Sequence, residues 1–489
     1  MDQDMKKVGS VTLIVIAILA LLILSVVLIN TWRMSPDAIS ESKPVSRNVD
    51  GTKAATNLAT AISYRTVSTD PDDPGFAAFR EWLPTAYPGV HATMDLQVLG
   101  GGTLLYKWAG SDSAAKPVLL TGHYDVVPVN PGTIEDWSFE PFAGTVSDDY
   151  IWGRGALDNK SAVIAMLEAA EALIETGFQP KQTIYFSFGH DEELGGNEGA
   201  ASVVQYFQNE GIRLAWSLDE GSYVLDDIFP GLEHPVASIN VAEKGYVSLL
   251  IKAKGAGGHS SMPPRETAVG TLAKAIVKIQ DNPLPGGFSG VSASMFEELA
   301  PHLGFSQRML FANRWLFGSL LEGELSKTPS TNAMLRTTTA PTMLSGSIKQ
   351  NILPTEAVAT VNFRIHPRDS VESVQAYVEG LVASENIDVE VLDGRGTPPS
   401  AVASDESEGY SVIAQSLKDA FGTIIVLPGL TIAGTDSKHY SKVADDAYRI
   451  NPFIVGPDDT ARFHGIDERM SIKNMEKGVT AFMLLMERL

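Results

Sequence analysis

The 489-residue sequence contains no cysteine. This absence excludes disulfides, cysteine-based zinc ribbons, iron–sulfur clusters and a thiol nucleophile, so any metal must be held by histidine, aspartate and glutamate. Basic residues are also few, since 37 Lys and Arg stand against 59 Asp and Glu, and the formal net charge is -22. Because nucleic acid and anionic lipid would repel such a surface, we expect neither as a partner of the folded body.

Charge is also missing from the run Val8 to Ile29 near the N-terminus, which is almost wholly apolar. At about 1.5 Å per residue, this run is long enough to cross a hydrocarbon core of about 30 Å. A cleaved signal would have a shorter apolar region followed by small residues. We therefore predict an uncleaved, single-pass membrane anchor in residues 1–33 and a tether in residues 34–50. Lys6 and Lys7 precede the run and favour a cytoplasmic N-terminus with an exported body.

Glycosylation signals are nearly absent as well. The sequence has one sequon, Asn159-Lys160-Ser161, and it lies in a motif assigned below to the active site. A large exported domain with neither cysteine nor a usable sequon favours a bacterial envelope over a eukaryotic secretory route.

Alternating strand-like and helical patterns define the organisation of the rest of the chain. Up to residue 241 the alternation predicts an α/β layered domain with a largely parallel sheet. From residue 242 the pattern changes to one that predicts a smaller α+β domain with helices on one face of an antiparallel sheet. Residues Gly394 to Ser404 look like a return linker. We therefore predict one domain in two parts, residues 51–241 and 397–489, with residues 242–396 inserted between them.

The long segment from Asp281 to Leu344 is rich in apolar and aromatic residues, including Phe305, Phe311, Trp315 and Phe317. Two interpretations of this segment are open. It could pack into a core or a dimer contact, or it could form an apolar wall of a substrate site.

Histidines and carboxylates follow strand-like runs or precede helical ones at five places in the chain. The carboxyl ends of strands in an open α/β sheet form a crevice, so residues distant in sequence can converge there. Three adjacent acids in HDEELGG would repel one another unless a cation lay beside them, and we therefore predict a pair of divalent metals. The candidates are His123 and Asp125 in TGHYDVVP, Asp158 in WGRGALDNK, Glu192 and Glu193 in HDEELGG, Asp219 in SLDEGS, and His464 in ARFHGIDER.

The residue types and spacing suit hydrolysis of an amide. His123 and Asp125 are two residues apart, so on extended chain Asp125 could hold the imidazole in one tautomer. Asp158 has two oxygens with which to bridge two ions. The adjacent side chains of Glu192 and Glu193 diverge, so one can bind a metal while the other accepts a proton from water. Two metals about 3.5 to 4 Å apart can polarise a carbonyl and activate that water.

The ordered motifs GHYDVVP, GRGALDNK, DEELGG, DEG and HGIDE resemble those of the M20 family of metallopeptidases, from about residue 50 to the C-terminus. They look most similar to its carboxypeptidase S and N-fatty-acyl-amino-acid hydrolase branch. The resemblance implies a zinc-exopeptidase-like catalytic domain with an inserted lid or dimerisation domain, and two zinc ions that cobalt or manganese could replace. The implied ligands are His123 and Asp219 for one zinc, Glu193 and His464 for the other, and Asp158 as the bridge.

The resemblance also implies roles outside the metal ligands. Glu192 would be the general base, and Asp125 would support His123. His259 in GAGGHSSMP would reach across a homodimer to stabilise the oxyanion, although a structural loop histidine is the alternative. Arg364 could bind a substrate carboxylate with two hydrogen bonds, or it could merely support its strand. The implied substrate contacts are Asn351, Arg364 and Gly434.

Together these features predict a membrane-anchored dizinc hydrolase that cleaves an amide beside a free carboxylate. Its small-molecule substrate would be a dipeptide or an N-acyl amino acid, and reactant concentrations would set the direction of the reaction. The alternative is an inactive, metal-stabilised binding protein at the membrane. Such a protein would lack a ligand or the base, whereas every one of those positions is filled here.

Overall fold

The computed structural model describes residues 2–36, 41–229, 231–384 and 386–489, with side chains from residue 12 onward. Residues 37–40 of the predicted tether lie outside this range, as do the side chains of Lys6 and Lys7. The α-helices in chain order are α1 (Asp2–Arg33), α2 (Gly51–Ser63), α3 (Pro74–Ala86), α4 (Pro88–Thr93), α5 (Lys160–Glu175), α6 (Gly199–Asn209), α7 (Ala268–Asp281), α8 (Val291–Leu299), α9 (Phe305–Ala312), α10 (Arg314–Leu325), α11 (Pro329–Leu335), α12 (Val371–Val382), α13 (Glu408–Phe421), α14 (Ser437–Tyr440) and α15 (Ile472–Met486).

The strands form one large sheet and three smaller ones. In chain order they are β1 (Asp95–Leu99), β2 (Thr103–Trp108), β3 (Val118–His123), β4 (Thr145–Ser147), β5 (Tyr150–Trp152), β6 (Ile184–Gly189), β7 (Leu214–Asp219), β8 (Val224–Leu225), β9 (Val236–Glu243), β10 (Gly245–Lys254), β11 (Gly258–His259), β12 (Thr338–Ser345), β13 (Ile352–Leu353), β14 (Glu356–Ile365), β15 (Ile387–Thr397), β16 (Ile425–Thr431), β17 (Ala444–Arg449), β18 (Ile454–Val455) and β19 (Arg469–Ser471).

The large sheet is mixed and has a parallel centre. Its order is β1-β2-β6-β3-β7-β17-β9-β8-β18, and β16 also pairs with β9. The central pairs β6–β3, β3–β7 and β7–β17 are parallel, whereas β1–β2 and β2–β6 are antiparallel. Residues of β6 are all buried, as expected for an apolar strand covered on both faces. The parallel centre places the carboxyl ends of β3, β6 and β7 along one edge.

Helices cover both faces of the large sheet. Helix α5 is buried along almost its whole length, with α2, α15 and the sheet around it in the main hydrophobic cluster. On the opposite face, Val203 and Phe207 of α6 pack against Leu119 and Tyr185 of the sheet. An α/β layered arrangement with a large core therefore surrounds the strand ends.

The second sheet has its own hydrophobic cluster. Its order is β12-β14-β10-β15, every pair is antiparallel, and α7 and α12 pack on it. Lys244 is the one residue between β9 of the large sheet and β10 of this one. Strand β15 also extends further than expected, because Gly396 and Thr397 resume pairing with β10 after a bulge. The predicted linker Gly394 to Ser404 is thus partly strand, which corrects that assignment.

The helical segment α8–α11 falls within the sequence of the predicted inserted domain but packs on the large sheet. Phe296 and Phe311 stack with ring centroids 5.4 Å apart, in a cluster with Val236 of β9 and Ile425 of β16. The packing interpretation therefore holds for Phe311. Phe305, by contrast, is 56% exposed.

Helix α1 stands outside both domains over most of its length. Its residues Thr12–Arg33 form a helix long and apolar enough to cross a membrane, and little of that stretch is buried. The last turns of α1 contact α9.

Candidate metal centre

Two groups of side chains converge where the parallel strands end. Within each group the potential ligand atoms lie within 4.8 Å of one another, and Asp158 belongs to both groups. His123 ends β3, Glu193 lies in the short 3-10 helix after β6, and Glu220 follows β7. The first group contains His123, Asp158 and Glu220, and the second contains Asp158, Glu193 and His464.

Asp158 lies between the two histidines. His123 Nε2 is 3.1 Å from Asp158 Oδ1, and His464 Nε2 is 3.2 Å from Asp158 Oδ2. Burial alone would raise the pKa of Asp158, but the hydrogen bonds to the two histidines outweigh burial and lower that pKa. The carboxylate is therefore ionised and presents one oxygen to each side, as a bridging ligand must.

The tautomer of His123 leaves Nε2 directed at carboxylates. Its Nδ1 lies 2.9 Å from the carbonyl oxygen of Asp125 and donates to it, while Nε2 is also 3.2 Å from Glu220 Oε1. A neutral imidazole has one N–H, so Nε2 would face two carboxylates with a lone pair unless a proton or a metal ion lay between them. Burial acts to lower the pKa of His123, but Glu220, Asp125 and Asp158 raise it well above its usual value.

Asp125 contacts both His123 and the turn that carries Glu192 and Glu193. Its carboxylate accepts hydrogen bonds from the backbone N–H groups of Glu192 (3.2 Å) and Glu193 (3.1 Å). Its Oδ1 is 3.4 Å from His123 Nδ1, farther than its own carbonyl oxygen. The predicted support of His123 thus comes mainly from the backbone of Asp125, and its side chain orients the HDEELGG turn.

Glu220 occupies the place predicted for Asp219. Neither group of candidate ligands among the described residues includes Asp219. Its Oδ1 accepts from the backbone N–H of Glu220 at 2.9 Å, and burial followed by the Glu220 charge raises its pKa to about 7. Successive side chains leave a strand on opposite sides, so only one of this pair can face His123. Glu220 is thus the candidate ligand that lies beside His123, while the Oδ2 of the predicted ligand Asp219 is buried with no hydrogen-bond partner among the described residues.

The centre holds more buried carboxylates than its hydrogen bonds can satisfy. Glu193 Oε1 and both oxygens of Asp436 are buried with no hydrogen-bond partner among the described residues. Burial, then Asp158, raises the pKa of Glu193 to about 8. Burial also raises the pKa of Glu192, with Glu220 and Asp436 adding to the effect and His123 opposing it. Unpaired buried carboxylates beside imidazole nitrogens fit divalent cations, which would neutralise them.

Asp436 was missed by sequence reasoning. It follows β16 in the AGTDSKH stretch, and burial, then Asp219, raises its pKa well above the usual value. A Cβ at Gly196, where φ is +64°, would collide with the Asp436 carboxylate, so only glycine admits this approach. The signal that could have found Asp436 is the one used for the other candidates, a carboxylate shortly after an apolar strand.

Glu468 was also missed, and it joins the two loops that carry Asp158 and His464. It is fully buried, and its Oε1 accepts from three backbone N–H groups, including that of Asp158 at 3.1 Å. Its Oε2 accepts from Arg154 Nη1 at 2.7 Å, and Arg154 Nη2 donates to the carbonyl oxygen of His464 at 3.2 Å. The φ of His464 is 57°, a conformation that residues with a Cβ seldom adopt and that tightly held functional sites retain.

The predicted residues outside the metal ligands lie on other elements. His259 is exposed on the β11–β13 ribbon with Nδ1 2.7 Å from Ser261 Oγ, and the backbone of Asn351 joins the same ribbon. Arg364 on β14 places its guanidinium 5.0 Å from the ring centroid of Tyr246. Gly434 precedes Thr435 in the loop after β16. The structure brings His259 and Asn351 together, and none of these hydrogen bonds, within the described chain, reaches a candidate metal ligand.

A mixed α/β sheet with two histidine–carboxylate groups that share one aspartate is an arrangement suited to a metal-dependent hydrolase. Comparison with known proteins specifies the family. The sequence profile of peptidase family M20/M25/M40 matches residues 119–488, and the chain belongs to this family. It is therefore an M20-type peptidase or amidohydrolase.

Relatives of this chain include proteins with two kinds of name. The N-fatty-acyl-amino acid synthase/hydrolase PM20D1.1 of Danio rerio is 39% identical over 441 residues, which cover 89% of this chain and 85% of that protein. A Dictyostelium discoideum protein named "Probable carboxypeptidase S-like 2" is 37% identical over 452 residues, 91% of this chain and 86% of that protein. The crystal structure of the M20 metallo-carboxypeptidase Sso-CP2 from Sulfolobus solfataricus has a TM-score of 0.63 at 18% identity and covers 89% of this chain and 98% of that one. This last likeness shows the fold.

Proposed function

We propose that this chain is a dizinc amidohydrolase that cleaves an amide bond beside a free carboxylate. The observation that carries the proposal is the position of Asp158, with one oxygen on His123 Nε2 and the other on His464 Nε2. One zinc would be held by His123, Asp158 and Glu220, and the other by Asp158, Glu193 and His464.

Glu192 is proposed as the general base. Its Oε2 is 3.9 Å from His123 Nε2, so it faces the space between the candidate ligands without belonging to either group. When bound, the two cations would supply Lewis acidity to the substrate carbonyl and lower the pKa of the attacking water. Glu192 accepts the proton of that water and returns it to the nitrogen of the leaving amine, and its raised pKa favours holding the proton between these steps.

The proposed substrates are N-fatty-acyl amino acids, with dipeptides as the second candidate. The name of the Danio rerio relative supports the first, and the carboxypeptidase S-like relative supports the second. Arg364 would bind the free carboxylate, with Asn351 and Gly434 as further substrate contacts. Because His259 is exposed on its ribbon, we propose that it serves the active site of a second copy of the chain in a homodimer.

The apolar helix α1 supports a membrane location. We propose that α1 anchors the protein with its N-terminus in the cytoplasm and the catalytic body exported, in a bacterial envelope.

The test is turnover by the zinc-loaded full chain in detergent, measured as release of free amine from matched sets of long-chain N-acyl amino acids and dipeptides. Glu192→Gln should retain its zinc and lose activity. Glu198→Gln is the control, because Glu198 is an exposed acid in the same turn region. Failure of the folded, zinc-loaded protein to hydrolyse either class would overturn the proposal.

A further inference from the structure

The last turns of α1 are fixed to the helical segment α8–α11 through the side chain of Asn313. Asn313 is fully buried, and its Nδ2 donates to the carbonyl oxygens of Val27 (3.1 Å) and Met309 (2.9 Å). Its Oδ1 accepts from Asn30 Nδ2 at 3.0 Å. Val27 and Thr31 are buried in this contact, unlike the residues before them. The contact holds the catalytic body in one orientation relative to α1.

The position of this contact along α1 determines where the contact would lie between the centre of a bilayer and its surface. From Thr12 to Thr31, at about 1.5 Å per residue, the helix rises about 30 Å, the thickness of a hydrocarbon core. Leu22 in this stretch is 58% exposed. Trp32, 76% exposed, and Arg33 follow, and both residue types are favoured at the membrane–water boundary. Helices α9 and α10, which meet at Asn313, therefore lie at that boundary.

Helix α10 presents a largely apolar surface beside this contact. Its exposed positions include Trp315 (60%), Leu316 (46%) and Leu320 (54%), and Phe305 of α9 is 56% exposed. Ser319 and Gly323 lie on the same side of α10 at helical spacing, and the exposed Glu324, which pairs with Lys327, ends the apolar stretch one turn after Leu320. We call the surface formed by Phe305, Trp315, Leu316 and Leu320 the apolar face. An exposed patch of this kind on a soluble body marks a contact with lipid or protein.

We propose that the apolar face is immersed in the boundary between lipid headgroups and acyl chains. The side of the catalytic body that carries this face is then held against the membrane surface. The occupant is lipid because Trp315 of this face donates to Asn313 Oδ1, which also accepts from Asn30 of α1, at the height where a bilayer would end. A net charge of -22 argues against attraction to anionic headgroups, so insertion should occur in zwitterionic phosphatidylcholine. The inference rests on the proposed anchor and is independent of the proposed hydrolysis.

The test exploits the absence of cysteine, because a single introduced cysteine can be labelled uniquely. Leu320→Cys, labelled with a nitrobenzoxadiazole fluorophore, is reconstituted as the full chain in phosphatidylcholine vesicles that contain doxyl-labelled phosphatidylcholine. Leu22→Cys reports on the anchor. Val277→Cys is the matched control, because Val277 is an apolar residue 55% exposed on α7, a helix of the second sheet.

The proposal expects quenching at position 320 by lipid labelled near the headgroup and at position 22 by lipid labelled deep in the bilayer, with no quenching at position 277. Quenching at position 22 without quenching at position 320 would refute the immersion of the apolar face in lipid and would still support α1 as an anchor. No quenching at position 22 would overturn the anchor and the inference together. A fluorescence shift at position 320 that depends on protein concentration and not on doxyl lipid would assign the face to a second copy and also overturn the proposal.

Discussion

Replacing Glu468 with Gln should destabilise the protein strongly while leaving every candidate ligand in place. The Glu468 carboxylate is fully buried between three backbone N–H groups and the guanidinium of Arg154. An amide has one acceptor oxygen, so its NH2 group must face either Arg154 or the three N–H donors. Removing one partner of a buried ion pair costs about 3–5 kcal/mol, a large share of the roughly 5–15 kcal/mol that stabilises a domain.

The assay is urea unfolding of the zinc-loaded protein, together with zinc affinity by competition with a chelator. Because Glu468 holds the Asp158 N–H and Arg154 holds the His464 carbonyl, we expect zinc affinity to fall by about 10- to 100-fold. Glu487→Gln is the control, since Glu487 pairs with Arg47 in a partly exposed ion pair, where the expected cost is about 0–1 kcal/mol. An equal decrease in the free energy of unfolding in the two variants, together with unchanged zinc affinity, would refute the role assigned to Glu468.

Three further predictions concern other parts of the molecule. Glu220→Ala should lower the zinc content of the chelator-equilibrated protein from two ions to one per chain, whereas Asp219→Asn should retain both ions. Elemental mass spectrometry measures the zinc content, and the reverse result would identify Asp219 as the ligand. The pKa of His366 is lowered to about 3 by burial and by nearby cations, so between pH 6.5 and 3 the unfolded chain binds a proton that the folded chain does not. The free energy of unfolding should therefore decrease as the pH is lowered from 6.5 to 3, by up to about 1.4 kcal/mol per pH unit. His366→Gln should flatten that dependence in denaturant titrations, and parallel curves for the two proteins would contradict the assignment. Asn313→Leu should reduce lipid quenching at position 320 without changing turnover of a short-chain substrate, and unchanged quenching would show that Asn313 does not hold α1 to the body.

Much of the candidate centre could be predicted because its candidate ligands lie in short motifs that are recognisable in the sequence. His123, Asp158, Glu193 and His464 follow strands or precede helices, and the parallel centre of the sheet brings them to one edge. The choice between Asp219 and Glu220 could not be made in this way. It depends on which of two adjacent side chains faces the edge, and a shift of one residue reverses the answer.

Other features depend on tertiary packing that the sequence pattern does not encode. The role of Glu468 arises from hydrogen bonds to a loop more than 300 residues away, from Gly155 to Asp158. Phe311 and Trp315 belong to one apolar stretch, yet one packs on the large sheet and the other is exposed beside α1. Periodicity identifies a helix as amphipathic, but it does not tell which neighbour covers its apolar side.

The central claim is that two metal ions bind on either side of Asp158, and anomalous diffraction at the zinc absorption edge from crystals of the zinc-loaded protein tests it most directly. The account predicts two peaks about 3.5–4 Å apart, with ligand distances of about 2.0–2.2 Å. The predicted ligands are His123, Asp158 and Glu220 at one peak and Asp158, Glu193 and His464 at the other. A single peak, or peaks away from Asp158, in crystals of the folded protein would contradict the account.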